Sequence, residues 1–170
     1  MVDELVALGA RPERTGRGSV SVGLTTRRLY AANLFLRCAT RVLVRIDRFT
    51  ARSFADLERQ ITAIDWSPWL PSDAVPRFRV TTRHSRLWHD GAVGERFAAA
   101  FPATGDRHDD RVSPGSGAEV AGDDGGTGPL VVVRGLDDRF TVSVDASGAP
   151  LHERGWRQAT AKAPLRESVA

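Results

Sequence analysis

The sequence predicts an α+β (α/β) chain. Short helical and strand patterns alternate along it, two adjacent strand patterns stand near its end, and no internal repeat is visible. Asp3 to Leu8 has the spacing of a short helix, with Gly9 placed to close it in a left-handed conformation. Ser19 to Gly23 alternates as a short strand. Residues 26–37 put Leu29, Ala32, Asn33 and Leu36 on one helical face, with Tyr30 and Leu34 beside it. Arg41 to Phe49 alternates, with Val42, Val44 and Ile46 on one side and Arg41, Arg45 and Asp47 on the other, the pattern of a half-buried strand. Ser53 is placed to cap a helix, with Asp56 three residues on and Phe54, Leu57 and Ile61 on its buried face.

Trp66-Ser67-Pro68-Trp69-Leu70-Pro71 is a connector broken by two prolines, with both tryptophans expected as packing anchors. Arg77 to Thr82 is a strand with Phe78 and Val80 inward. A helix over residues 90–101 follows, with Val93, Phe97, Ala100 and Phe101 at helical spacing. Gly105 to Pro129 is rich in Gly, Asp and Ser and poor in apolar residues, which predicts a mobile loop. Leu130 to Arg134 and Arg139 to Asp145 form a hairpin through Gly135-Leu136-Asp137-Asp138, with Phe140, Val142 and Val144 inward.

A composition of 41% hydrophobic and 26% charged residues is that of a soluble globular chain, and no apolar run is long enough to span a bilayer. No signal peptide opens the sequence, and a single cysteine rules out an internal disulfide, so a cytoplasmic address is expected. Cys38, among Leu36, Ala39 and Val42, reads as a buried thiol. Net charge is only +3, but its distribution is uneven. Eleven arginines between Arg11 and Arg59 face four acids, whereas Gly105 to Gly128 carries six acids against Arg107 and Arg111. A basic body with an acidic loop suits a polyanion met on one side. An arginine bias from base composition explains the same count without a partner.

Two segments carry a family resemblance. The first is Leu151, His152, Arg154, Gly155, Trp156 and Arg157, followed by Ala163, Pro164, Leu165, Arg166, Glu167 and Ser168. The second is Arg83, Ser85, Arg86, Leu87, Trp88 and His89, then Ala92, Val93, Glu95, Arg96 and Phe97. Together they resemble the region ahead of the catalytic domain in bacterial ribosomal RNA (guanine-N2)-methyltransferases, a family also known as N6-adenine-specific DNA methylases. The resemblance implies a ferredoxin-like module over residues 1–50, a THUMP RNA-binding domain over 51–150 with the loop 105–129, and a linker over 151–170 leading to a methyltransferase domain. It also implies a truncated front module. The family has a strand before the first helix, whereas Met1 lies inside that helix here. An unpaired sheet edge and a marginal module would follow.

The chemistry of these residues points the same way. Arginines at a strand end beside a helix N-terminus suit a phosphate, with Arg83 and Arg86 as forked donors and Trp88 as a stacking surface for an unpaired base. Core packing for Trp88 and helix capping for His89 are the alternatives. On the second segment, His152, Arg154, Trp156 and Arg157 suit either a nucleic-acid backbone or a wedge against a neighbouring catalytic domain. The RNA-binding candidates are thus Arg83, Ser85, Arg86, Trp88, His89, Arg154, Trp156 and Arg157. No catalytic or metal-ligating set is expected. The four histidines lack partners at ligand spacing, and no glycine-rich S-adenosylmethionine loop or Asn/Asp-Pro-Pro-aromatic motif is found. The expected role is RNA recognition, with structured RNA, in particular ribosomal RNA, as partner and no cofactor held by these residues. The alternatives are a non-catalytic subunit paired with a separately encoded methyltransferase domain, or a non-functional remnant.

Overall fold

The computed structural model describes residues 1–16, 18–101, 112–114 and 128–153. Its elements run α1 (Val2–Ala7), β1 (Pro12–Gly16), β2 (Ser19–Val22), α2 (Thr26–Phe35), β3 (Leu43–Thr50), α3 (Phe54–Ala63), β4 (Arg77–Arg83), α4 (Asp90–Ala99), β5 (Val112–Pro114), β6 (Leu130–Leu136) and β7 (Arg139–Asp145). They fall into two compact units, one of residues 1–42 with 146–170 and one of residues 43–145. The first division therefore falls before β3 rather than at residue 50, because β3 pairs with β7 along its whole length.

In the first unit, α1 ends as its glycine predicts. Gly9 sits at φ +71°, its N–H donates to the Val6 carbonyl at 2.8 Å, and the Ala10 N–H donates to Leu5 at 2.9 Å. β1 and β2 form an antiparallel two-stranded sheet. β1, reading Pro-Glu-Arg-Thr-Gly, has no apolar alternation and is not legible in the sequence. Thr25 caps α2 by accepting from the Arg28 N–H at 3.4 Å. Leu5, Ala10, Ala32, Leu36 and Leu151 make the buried cluster, whereas Tyr30, Leu34 and Phe35 lie exposed. Leu151, assigned from sequence to a linker, is a core residue whose N–H donates to the Thr40 carbonyl at 2.7 Å.

Cys38 corrects an expectation: it is exposed, not buried. The turn after α2 is held instead by its backbone, since the Glu4 carboxylate accepts from the Arg37 N–H at 3.3 Å and the Cys38 N–H at 3.2 Å.

The second unit is a five-stranded mixed sheet in the order β3-β7-β6-β4-β5. β7 runs antiparallel to both β3 and β6, while β4 runs parallel to both β6 and β5. One face is apolar and packs on α3 and α4. Its core holds Phe49, Phe78, Val80, Val131, Val133, Phe140 and Val142 from the strands, and Leu57, Ile61, Val93 and Phe97 from the helices. Ser53 caps α3 as expected, accepting from the Asp56 N–H at 3.1 Å. The Ser53 hydroxyl, and after it Arg59, holds the Asp56 carboxyl below its ordinary range.

Several expectations change in this unit. A register shift between Arg45 and Asp47 leaves Ile46 as an extra residue in β3. Strict alternation would have turned Phe49 away from Val44, but the bulge returns it to the core, stacked on Phe140 at 5.8 Å. It also moves Asp47 off the side it shared with Arg45. Within the stretch expected as a loop, Val112–Pro114 is a strand paired with β4; residues 105–111 and 115–127 lie outside the described residues. Trp66 is a packing residue, edge-on to Phe101 at 5.0 Å, but Trp69 is 42% exposed and the buried Leu70 does the anchoring. Ala100, expected on the inner face of its helix, is exposed.

The hairpin is tighter than its sequence suggests. Only Asp137 (φ 51°) and Asp138 (φ 62°) form the turn, both left-handed, as a two-residue connection between right-twisted strands requires. Gly135 remains in β6 on the core side, where a Cβ would lie 2.9 Å from the Phe140 ring and 3.1 Å from Thr82 Cγ2. Phe140 is fully buried, so it cannot swing aside into water. Gly135→Ala is expected to destabilise the unit by about 1–3 kcal/mol. Thermal melts of Gly135→Ala alone and with Phe140→Leu check this: the smaller partner should relieve part of the loss, and equal losses would reject the steric account.

Candidate nucleic-acid interface

The loop from Arg83 to His89 joins the end of β4 to the start of α4 and carries five of the eight expected site residues. The other three, Arg154, Trp156 and Arg157, lie outside the described residues. His84 takes φ 51°, which turns the chain sharply as it leaves the strand. Ser85 then acts as a structural pin. Its hydroxyl donates to the Arg83 carbonyl at 3.1 Å and accepts from the Asp138 N–H at 3.2 Å. Asp138 answers from the hairpin turn, accepting from the Arg86 N–H at 2.7 Å. Its second oxygen stands 3.7 Å from both Arg86 Nε and Arg52 Nε. With both guanidinium-bearing side chains more than 60% exposed, these contacts fix direction more than they add stability.

His89 caps α4, its Nδ1 accepting from the Ala92 N–H at 3.4 Å, and Asp90 occupies the first turn. The expected phosphate pocket at this helix end is therefore already filled by the helix's own cap and an acid. Arg83 and Arg86 are the exposed arginines of this loop. Trp88 is 73% exposed, so core packing does not account for it. Its only ring neighbour among the described residues is His89, tilted at 5.6 Å. Leu87, next to it, is buried and anchors the loop. The result is a loop with a fixed base that presents Arg83, Arg86 and Trp88 to solvent.

Three further arginines were not singled out by sequence. Arg48, Arg134 and Arg139 are exposed on the sheet face opposite the core, and among the described residues they form no ion pair. A signal existed, since each sits at a polar position of an alternating strand. What was missing was the register that brings them together.

Residues 1–43 match the family described as the RlmL ferredoxin-like domain. The chain is similar to the N-terminal region of ribosomal RNA methyltransferases. It is 30% identical over 98% of its length to a ribosomal RNA large subunit methyltransferase K/L from Marinomonas sp. (strain MWYL1), covering 22% of that protein. A protein of the same description from Syntrophotalea carbinolica is 30% identical over all of this chain, which covers 23% of it. Among solved structures, a predicted N6-adenine-specific DNA methylase from Listeria monocytogenes str. 4b F2365 superposes with a TM-score of 0.70 at 27% identity. That match covers 98% of this chain and 42% of the other. The chain thus spans less than a quarter of the K/L relatives. No helix among the described residues is long and apolar enough to cross a membrane.

Proposed function

We propose that this chain is the RNA-recognising region of a ribosomal RNA methyltransferase, with residues 1–42 in a ferredoxin-like module and 43–145 as a THUMP-like domain. The observation that carries the reading is the loop 83–89. It is pinned at its base by Ser85 and Asp138 and exposes two arginines and a tryptophan. Guanidinium groups grip phosphates through forked donors, and an exposed indole stacks on an unpaired base. Similarity to the K/L methyltransferases supports ribosomal RNA as the partner. Methyl transfer belongs in this reading to a separate catalytic domain, in the same chain or another, which holds S-adenosylmethionine. The residues described here recognise and position the RNA, in the cytoplasm.

The test is equilibrium binding of the chain to structured RNA over a salt series. Affinity should fall linearly in log–log form, by about 0.7–0.9 in slope for each phosphate neutralised. Arg83→Gln combined with Arg86→Gln should weaken binding to all RNAs alike and flatten the slope. Binding indifferent to salt, or absent at low ionic strength, would reject the reading.

A further inference from the structure

We propose that a single-stranded stretch of RNA runs across the exposed hairpin end of the sheet face opposite the core. Its phosphates are held there by Arg83, Arg139, Arg134 and Arg48. The inference rests on the RNA reading above and assigns the path within it.

Strand register brings the four arginines together. In the last row of the sheet, Thr50 faces Arg139, Arg139 faces Leu136, and Leu136 faces Arg83. In the next row on the same side, Arg48 faces Thr141, Thr141 faces Arg134, and Arg134 faces Thr81. The intervening row, Phe49, Phe140 and Gly135, points into the core, so these two rows share the opposite face. Neighbouring strands lie about 4.8 Å apart, which places each arginine position roughly 8–10 Å from the next in the set.

All four arginines are exposed, and none forms an ion pair among the described residues. No acid stands in either row. The nearest are Asp137 and Asp138 in the turn, the latter engaged by Arg52 and Arg86, while Asp145 lies at the far end of β7 and Asp47 on the core side of β3. Four like charges within two rows repel one another unless an anion lies among them.

The chemistry of the surface favours nucleic acid over protein. The centre of a protein interface is depleted in charge, whereas a nucleic-acid surface is polar and strongly basic. The two rows hold four arginines, three threonines and one apolar side chain. That side chain, Leu136, is 54% exposed between Arg83 and Arg139, and gives an apolar seat for the face of a base. With the four arginines it makes a basic surface with a stacking position, which suits unpaired rather than duplex RNA.

The experiment compares two labelled RNAs sharing one stem–loop, one blunt and one with a single-stranded tail of about eight nucleotides, the span of such a surface. The intact chain and its Arg48→Gln/Arg134→Gln variant are titrated with each over a salt series. The wild type should prefer the tailed RNA. The variant should lose that preference, binding the tailed RNA about tenfold more weakly, with a salt slope lower by about 1.4 for two single-strand phosphates. Arg48→Lys/Arg134→Lys, which keeps the charge, should restore the slope and guards against a folding defect. Unchanged tail preference and slope in the Gln variant would overturn the sheet path and leave the RNA reading standing. Equal losses on blunt and tailed RNA would overturn the single-strand assignment. Failure of the wild type to bind either RNA would reject the RNA reading itself.

Discussion

Phe97→Ala is expected to destabilise the second unit by about 3–5 kcal/mol. Phe97 is fully buried on the inner face of α4, and its ring meets Phe78 of β4 at 5.6 Å. Deleting it removes apolar contact on both sides of the helix–sheet interface and leaves a cavity that neighbouring rings can only partly fill. For a unit of roughly 100 residues, each kcal/mol shifts the melting temperature by about 4–8 °C, so a drop of about 12 °C or more is expected. Glu95→Ala, two positions away and exposed, is the control and should fall within about 0.5 kcal/mol of wild type. A melt of Phe97→Ala that overlays the control would show that α4 does not anchor the sheet.

How much of this fold was legible depended on local pattern. α3 could be read because its cap, its first-turn acid and its apolar spacing agree, and Leu57 and Ile61 are buried as that spacing demands. The same holds for β4, with Phe78 and Val80 inward, and for the end of α1 at Gly9. β1 and β5 were missed because neither has alternation of its own; each is a strand only because a partner strand supplies its hydrogen bonds. The bulge at Ile46 was equally invisible. It is defined by two residues of β3 facing one of β7, a relation between strands more than ninety residues apart in sequence. Cys38 was misplaced for a related reason. Apolar neighbours suggested burial, but the turn that ends α2 rotates it outward.

For the candidate site, the sequence nominated residues of the loop but not its wiring. Ser85 and His89, grouped with the RNA-binding candidates, have structural partners: Ser85 pins the hairpin turn and His89 caps α4. Asp138, which accepts from the Arg86 backbone and faces two guanidinium groups, lies 52 residues away from Arg86 and was read from sequence only as part of the hairpin turn. Sequence spacing can nominate a residue type for a task. Exposure and cross-strand register then decide which nominees are available, and here they favour Arg83, Arg86 and Trp88 and add Arg48, Arg134 and Arg139.

Asp90→Ala separates loop shape from simple charge, because the two predict opposite signs. Asp90 Oδ1 accepts from the part-buried Thr82 N–H at 2.7 Å and stands 2.5 Å from Thr82 Oγ1, which is itself 2.9 Å from the Trp88 carbonyl. This carboxylate thus closes both ends of the loop that displays Arg83, Arg86 and Trp88. Removing it leaves a backbone donor without its acceptor, at a cost of about 1–3 kcal/mol, and frees the loop to sample other shapes. Coulomb attraction alone predicts tighter RNA binding after the loss of a negative charge beside a basic surface. Preorganisation predicts weaker binding, because the loop must then be ordered at the moment of contact. Weaker binding with a lowered melting temperature is the expected result, and Asp90→Asn, which keeps an acceptor oxygen while losing the charge, should lie close to wild type in stability. An Asp90→Ala variant that binds RNA more tightly would show that net charge, not the held geometry of the loop, governs recognition.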